Sequence, residues 1–149
     1  MAVVTQGVLL ARQDFVIDAP LARAWDVLPA GVIQGLPVEQ MDVLSDTKLT
    51  AVLRAKLGPL EIPVPLKVEI GDIAPLQSIS ATITAEKGIA RSVLDVSFAL
   101  SAVTDDQTRV TCTARESAGS PAMRLLRWQQ RRFAREMFSS IERWLRQAC

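Results

Sequence analysis

The sequence predicts an α+β domain in which a curved antiparallel sheet of about six or seven strands wraps around one long C-terminal helix, with two short helices after the first strand. Three observations carry this. From Val38 to about Glu116 the apolar residues recur almost wholly at every second position, the period of half-buried strands. Met123–Gln147 instead follows the helical period. Between an opening strand and the long alternating run lies a short helical segment followed by a cluster of prolines and glycines.

The opening strand is RQDFVIDA, which alternates and ends in Asp18-Ala19-Pro20. LARAWDVL then takes helical spacing, with Pro20 at a first helical position as its start signal. Pro29, Gly31, Gly35 and Pro37 punctuate the segment after it, which reads as a second short helix or a turn. The strands that follow are VEQMDVLSD, TKLTAVLRAKL, LEIPVPLKVEI, QSISATITAE, RSVLDVSFALSAV and TRVTCTARES. Their connections are short: Ser45-Asp46, Gly58-Pro59, Ile73 to Pro75, Lys87-Gly88 and Asp105-Asp106, as an antiparallel meander requires. Pro63 and Pro65 cannot donate to a ladder, so their strand is expected to be irregular or to lie at an edge.

Parity sorts the strands into an apolar and a polar face. Leu49, Ala51, Leu53, Ala55 and Leu57 share one side, as do Ile79, Ala81, Ile83 and Ala85, then Ser92, Leu94, Val96, Phe98 and Leu100, then Val110, Cys112 and Ala114. The helix offers a matching stripe of Met123, Leu126, Phe133, Ala134, Met137, Ile141, Trp144 and Leu145, opposite Arg124, Arg127, Arg131, Arg132, Arg135, Arg143 and Arg146. The helix is therefore expected to cover the sheet, with Val96, Phe98 and Leu100 facing Phe133, Met137 and Ile141. Many inward positions are alanine. Either the small side chains leave a cavity between sheet and helix, or they let the helix approach closely.

At 149 residues, residues 1–149 form a single expected domain. Its net charge of +1 hides an asymmetry, since Met123–Gln147 carries seven Arg and two Glu and the rest of the chain is acidic. Two cysteines make neither a disulfide framework nor a metal-ligand spacing. Without a signal-like N-terminus or an apolar run of membrane length, the expectation is a cytoplasmic protein, or one peripheral at the inner face of the membrane.

The chain contains no histidine and no tyrosine, which removes the commonest general base and the phenolic acid. No nucleophile elbow, phosphate loop, zinc spacing or dinucleotide fingerprint is present. No catalytic residue, cofactor or metal ligand is assigned, and an enzyme is the less favoured reading. Cys112 faces inward with no histidine to activate it and reads as packed core. Glu116 reads as a solvated strand end, the alternative being an isolated carboxylate at a cavity mouth. Trp25 reads as core before cavity wall. Nucleic-acid binding is not expected, because the arginines sit on one helix and no strand carries an aromatic platform.

FVIDAPLARAWDVL, LPVEQMDV, LGPLEIPVPLKVEI and the long C-terminal helix together resemble the START-like superfamily called SRPBCC, most of all the G-type subunits of carbon monoxide dehydrogenase. The resemblance spans nearly the whole chain and implies a helix-grip fold around a hydrophobic cavity. It also implies a range of functions: lipid carriers, polyketide cyclases and dehydratases, and accessory proteins of membrane-linked enzymes.

The leading expectation is binding of a small hydrophobic molecule, a lipid, quinone or polyketide-like compound, in a cavity lined by Leu53, Ile83, Val96, Phe98, Leu100, Phe133, Met137 and Ile141. Any polar end of that ligand is expected near Glu116 or the mouth. The alternatives are an accessory protein docking on a larger enzyme or an anionic membrane, and a cyclase or dehydratase. For the docking surface the candidates are Arg127, Trp128 and Arg131. Trp128 falls among the arginines on the helical wheel and suits either a cation–π stack beneath them or an interfacial anchor.

Overall fold

The structure is a computed structural model that describes residues 7–57, 59–121 and 126–149. In chain order its elements are β1 (Val8–Ile17), α1 (Leu21–Gly35), β2 (Glu39–Ser45), β3 (Lys48–Leu57), β4 (Leu60–Ala74), β5 (Ser78–Lys87), β6 (Ala90–Thr104), β7 (Gln107–Gly119) and α2 (Arg127–Ala148). The seven strands form one antiparallel sheet in the order β1-β7-β6-β5-β4-β3-β2, a meander whose last strand returns to pair with the first. The expected positions of Met123 and Arg124 on the helix, the side chain of Leu57 and the Gly58 half of one turn lie outside the described residues.

Cross-strand rows build the inner face. Ile79, Phe98 and Cys112 stand side by side on β5, β6 and β7, as do Ala81, Val96 and Ala114 one row along. Large and small side chains thus alternate across the sheet, and the Phe98 ring meets Phe138 of α2 edge-on with centroids 6.0 Å apart. Val96, Phe98, Leu100, Phe133, Met137 and Ile141 all belong to one contiguous buried core.

A single helix replaces the two expected after β1. Pro20 is its N-cap, in extended conformation rather than in the first turn, and the helix continues through Pro29 to Gly35. A proline inside a helix removes one backbone hydrogen bond and costs about 3 kcal/mol, so tertiary packing must hold this one together. Gly31 and Gly35 supply that packing. They lie one turn apart on the face that meets α2, and a Cβ on Gly31 would stand 3.0 Å from Trp144 Cε3, while one on Gly35 would overlap Ile141. What reads in the sequence as helix-breaking punctuation is a groove that admits the second helix.

Ahead of α1, the buried Thr108 hydroxyl donates to the Ala19 carbonyl at 2.8 Å and Gln107 Nε2 donates to Asp18 at 3.0 Å, which fixes the exit from β1. At the far end, Arg23 of α1 donates to the Ala148 carbonyl at 2.8 Å and so satisfies an orphan group of the α2 terminus. α2 packs most closely on α1 and β1, leaving the β3–β5 side of the sheet less covered.

Candidate functional site

That uncovered side holds a cavity of about 490 Å³ between the start of α2 and strands β3 to β6. Its wall is mostly aliphatic: Leu53, Ile62, Val64, Leu66, Ile83, Leu94 and Phe133. Burial falls off along each strand toward it. On β3, Leu49 and Ala51 are buried while Leu53 and Ala55 are only partly so, and on β5 burial declines from Ile83 to Ala85. The two sequence readings of the alanines therefore both occur, in different places. Ala51, Ala81 and Ala114 sit in the packed core, whereas Ala55, Ala85 and Ala90 border open space.

The prolines of β4 lie at the opening. β4 stays in continuous register with β3 through Pro63 and Pro65, but its pairing with β5 ends at Leu66 and Ala85. Proline has no N–H to offer a second neighbour, and beyond Leu66 the strand has only β3. The ends of the two hairpins separate there. Lys87 Nζ donates to the Pro63 carbonyl at 2.9 Å across the divide, and Gln129 Nε2 of α2 donates to the Lys56 carbonyl of β3 at 2.6 Å. Arg54, Lys56, Lys87, Arg132, Glu136 and Trp128 are exposed around this mouth.

Polar groups in the wall concentrate at one place. Glu116 is buried rather than solvated, and it is the centre of a cluster joining β6, β7 and α2. Its Oε1 accepts from the Arg127 guanidinium at 2.8 Å. Its Oε2 accepts from the Ser92 hydroxyl at 3.1 Å and from Gln130 Nε2, which also donates to Ser92 Oγ at 2.7 Å. Ser92 and Gln130 border the cavity while Glu116 stands behind them. Local backbone geometry permits this. A bulge shifts the β6–β7 register beside Glu116, and Gly119 leaves room for the carboxyl, since a Cβ there would lie 2.7 Å from Glu116 Oε2.

The sequence-expected residues divide accordingly. Leu53, Ile83 and Phe133 border the cavity. Val96, Phe98, Leu100, Met137 and Ile141 do not: they belong to the packed, buried part of the core. Trp25 packs against the core and not on the cavity wall. Cys112 is wholly buried, and burial, reinforced by the Asp14 and Glu142 carboxylates, pushes its thiol up to about 12, far from the thiolate a nucleophile needs. Gln130 was hidden from sequence reading, and Ser92, though on the inward parity of its strand, was not picked out as a polar group of the site. Gln130 does fall on the apolar stripe, three residues before Phe133 and four before Ala134, and a polar residue on a buried face is the signal that would have found it.

The arginine face is also more committed than its wheel suggests. Arg127 is held by Glu116, and Arg131 donates to the Leu9 and Leu10 carbonyls at 3.3 and 3.2 Å, where a bulge interrupts the β1–β7 register. Arg146 lies over the Phe15 ring at 5.8 Å and donates to the Val16 carbonyl at 3.0 Å. Among the described residues no cation–π contact involves Trp128, whose side chain is exposed at the mouth. No helix among the described residues is long and apolar enough to cross a membrane, and no three metal-ligating side chains converge among them.

A curved antiparallel sheet gripping a C-terminal helix, with a mostly apolar cavity between them, is the helix-grip architecture. The chain has the START-like, or SRPBCC, fold. It superposes on a conserved protein from Geobacillus kaustophilus with a TM-score of 0.67 and 14% identity, covering 90% of this chain and 93% of that one. A START superfamily protein from Mycobacterium smegmatis is similar at a TM-score of 0.59 and 10% identity, over 91% and 93% of the two chains. A protein in the dynemicin biosynthetic locus matches at a TM-score of 0.56 and 11% identity, over 91% of this chain and 46% of that one. No family model and no curated protein matches the sequence. At such identities the likeness is one of fold; the narrower likeness to the G-type subunits of carbon monoxide dehydrogenase rests on the sequence motifs alone.

Proposed function

We propose that the chain binds a small, mostly apolar molecule in the cavity between α2 and strands β3 to β6. The observation that carries this is the cavity itself: about 490 Å³, walled by aliphatic side chains, with Ser92 and Gln130 as its buried polar groups. Binding pockets for small molecules commonly run from roughly 300 to 1,000 Å³ and combine an apolar wall with a few placed polar groups. An unfilled apolar space of this size would forfeit dispersion contacts along its whole lining. A lipid, quinone or polyketide-like molecule is of the right class. The test is titration with N-phenyl-1-naphthylamine, whose fluorescence rises in apolar surroundings, together with native mass spectrometry of protein purified from its own host. Saturable binding at one site per chain supports the reading; absence of both probe binding and a retained ligand overturns it.

A second reading has the cavity mouth resting on an anionic membrane while ligand passes. It is favoured by Trp128, which borders the cavity yet is 56% exposed, beside Lys56 and Lys87 on the same rim. Indole and lysine side chains together suit a headgroup interface. Trp128→Ala should weaken sedimentation with phosphatidylserine vesicles without lowering the melting temperature. Equal sedimentation of the variant and the parent removes this reading.

A further inference from the structure

We infer that the cavity takes an amphiphile with an anionic head, a carboxylate on an apolar tail, and that Lys87 at the mouth is the cation that selects it. The inference rests on the binding reading above and narrows its ligand class. Lys87 is the last residue of β5 and follows Ile83 and Ala85, both on the cavity wall, along the inward parity of that strand. Among the described residues it is the one charged side chain of inward parity on β3 to β6. An aliphatic wall thus ends at its opening in a single cation. The side chain is exposed and borders the cavity, and a hydrogen bond to the Pro63 carbonyl at 2.9 Å places its Nζ where β4 and β5 separate. That contact uses one of the three ammonium hydrogens and leaves the charge uncompensated.

The other charges around the mouth are matched. Arg54 pairs with Glu39 at 3.1 Å and Arg132 with Glu136 at 2.9 Å, while Glu86, next to Lys87 in the chain, is held by Arg91 at 2.8 Å. Lys56 stands directly across the β3–β4 pair from Glu61, a cross-strand position at which opposite charges offset one another. None of the ion pairs among the described residues includes Lys87.

The chemistry of the head group follows from where it can sit. A charged head among the aliphatic side chains of the wall would lose its hydration without gaining a partner, because the one carboxyl behind that wall, Glu116, is already matched by Arg127. The tail therefore fills the wall and the head stays at the opening, where it keeps part of its hydration. There Lys87 attracts an anion, repels an ammonium and gives a neutral ester or quinone only a hydrogen bond. Exposed ion pairs are weak, so Lys87 selects among amphiphiles while the apolar wall supplies most of the affinity.

Three competitors of N-phenyl-1-naphthylamine test this, each monomeric in vesicle-free buffer near neutral pH: decanoate, decylammonium and methyl nonanoate. The first two carry opposite charges on similar tails, and the third is the neutral isomer of decanoic acid. The parent protein should bind decanoate at least about threefold more tightly than decylammonium. Lys87→Gln, which removes the charge and keeps an N–H donor, should weaken decanoate by roughly 2- to 5-fold and leave the ester within about 1.5-fold. Lys87→Glu should reverse the order of the two charged amphiphiles. Lys67→Gln makes the same change in net charge on the outer face of β4 and should leave their ratio unchanged. The inference is overturned, and the cavity reading stands, if the parent binds decylammonium as tightly as decanoate or if Lys87→Gln weakens the ester as much as decanoate. It is also overturned if Lys67→Gln shifts the ratio as far as Lys87→Gln, or if Lys87→Glu keeps the parent's order. If neither the naphthylamine nor any competitor binds, the binding reading itself fails and takes the inference with it.

Discussion

Arg127, in the first turn of α2, donates to Glu116 of β7 at 2.8 Å, and this ion pair pins the helix start to the sheet at the polar end of the cavity. The carboxyl is almost wholly buried and the guanidinium about a third exposed, so the two partners do not stand in equal environments. Removing one member of a buried pair strands the other and costs about 3–5 kcal/mol, less where the survivor can reach water. Glu116→Ala should therefore destabilise by about 2–3 kcal/mol, because Arg127 is able to rehydrate. Arg127→Ala, which strands the buried carboxyl, should cost at least as much. The double variant should cost clearly less than the sum, a coupling readable by urea denaturation. Additive losses would mean that the pair contributes nothing as a pair.

Gly31 and Gly35 give a prediction whose sign opposes helix propensity. Replacing glycine by alanine inside a helix ordinarily stabilises by about 1 kcal/mol. Here Gly35→Ala should destabilise by about 1–3 kcal/mol through overpacking against Ile141. Gly31→Ala should cost less, since the neighbour at 3.0 Å is the edge of the Trp144 side chain rather than the helix backbone. Thermal melts of the two variants check both the sign and the order.

The division between packed and open alanines predicts opposite outcomes for the same substitution. Ala85→Phe and Ala55→Phe place a ring into the cavity and should cut naphthylamine affinity at least about tenfold, with little change in melting temperature. Ala81→Phe drives the ring into a filled core and should destabilise by about 1–3 kcal/mol or more. Equal destabilisation by all three would mean that the space beside Ala55 and Ala85 is closed in solution.

Cys112 carries a pH dependence. Its thiol is raised from an ordinary value of 9.0 to about 12 in the folded chain. Because the folded value lies above the unfolded one, the stabilising contribution is complete below about pH 9 and is lost as pH rises toward 12, at no more than about 1.4 kcal/mol per unit. Relative to Cys112→Val, the parent should lose stability between pH 8.5 and 10.5 in urea titrations, by about 1–2 kcal/mol. A thiol reagent at pH 8 should modify the exposed Cys149 at once and Cys112 only in denaturant. Two rapidly reacting thiols in the native protein would contradict the burial.

Periodicity alone decides which face of each element turns inward. Leu94, Val96, Phe98 and Leu100 on one parity, and Phe133, Met137, Ile141 and Leu145 on one stripe, leave no other arrangement that buries both sets. Such periodicities are local, and the sheet, its meander order and the helix over it follow from them. What local patterns do not contain is the distance from an inward face to whatever lies opposite. Gly31 and Gly35 let α2 approach α1 closely, and in that packing Met137 and Ile141 are buried core while Leu53 and Phe133 border a cavity. For the same reason Glu116 was read as a solvated strand end, Gln130 was not singled out, and the intramolecular partners of Arg127 and Arg131 were invisible. A charged or polar side chain is assigned to water unless a partner is known, and theirs come from other elements: β7 for Arg127, β6 and β7 for Gln130, and the carbonyls of a β1 bulge for Arg131. Only the folded chain brings those donors and acceptors within reach of one another, because pairing of buried polar groups is a property of three-dimensional proximity and leaves no period in the sequence.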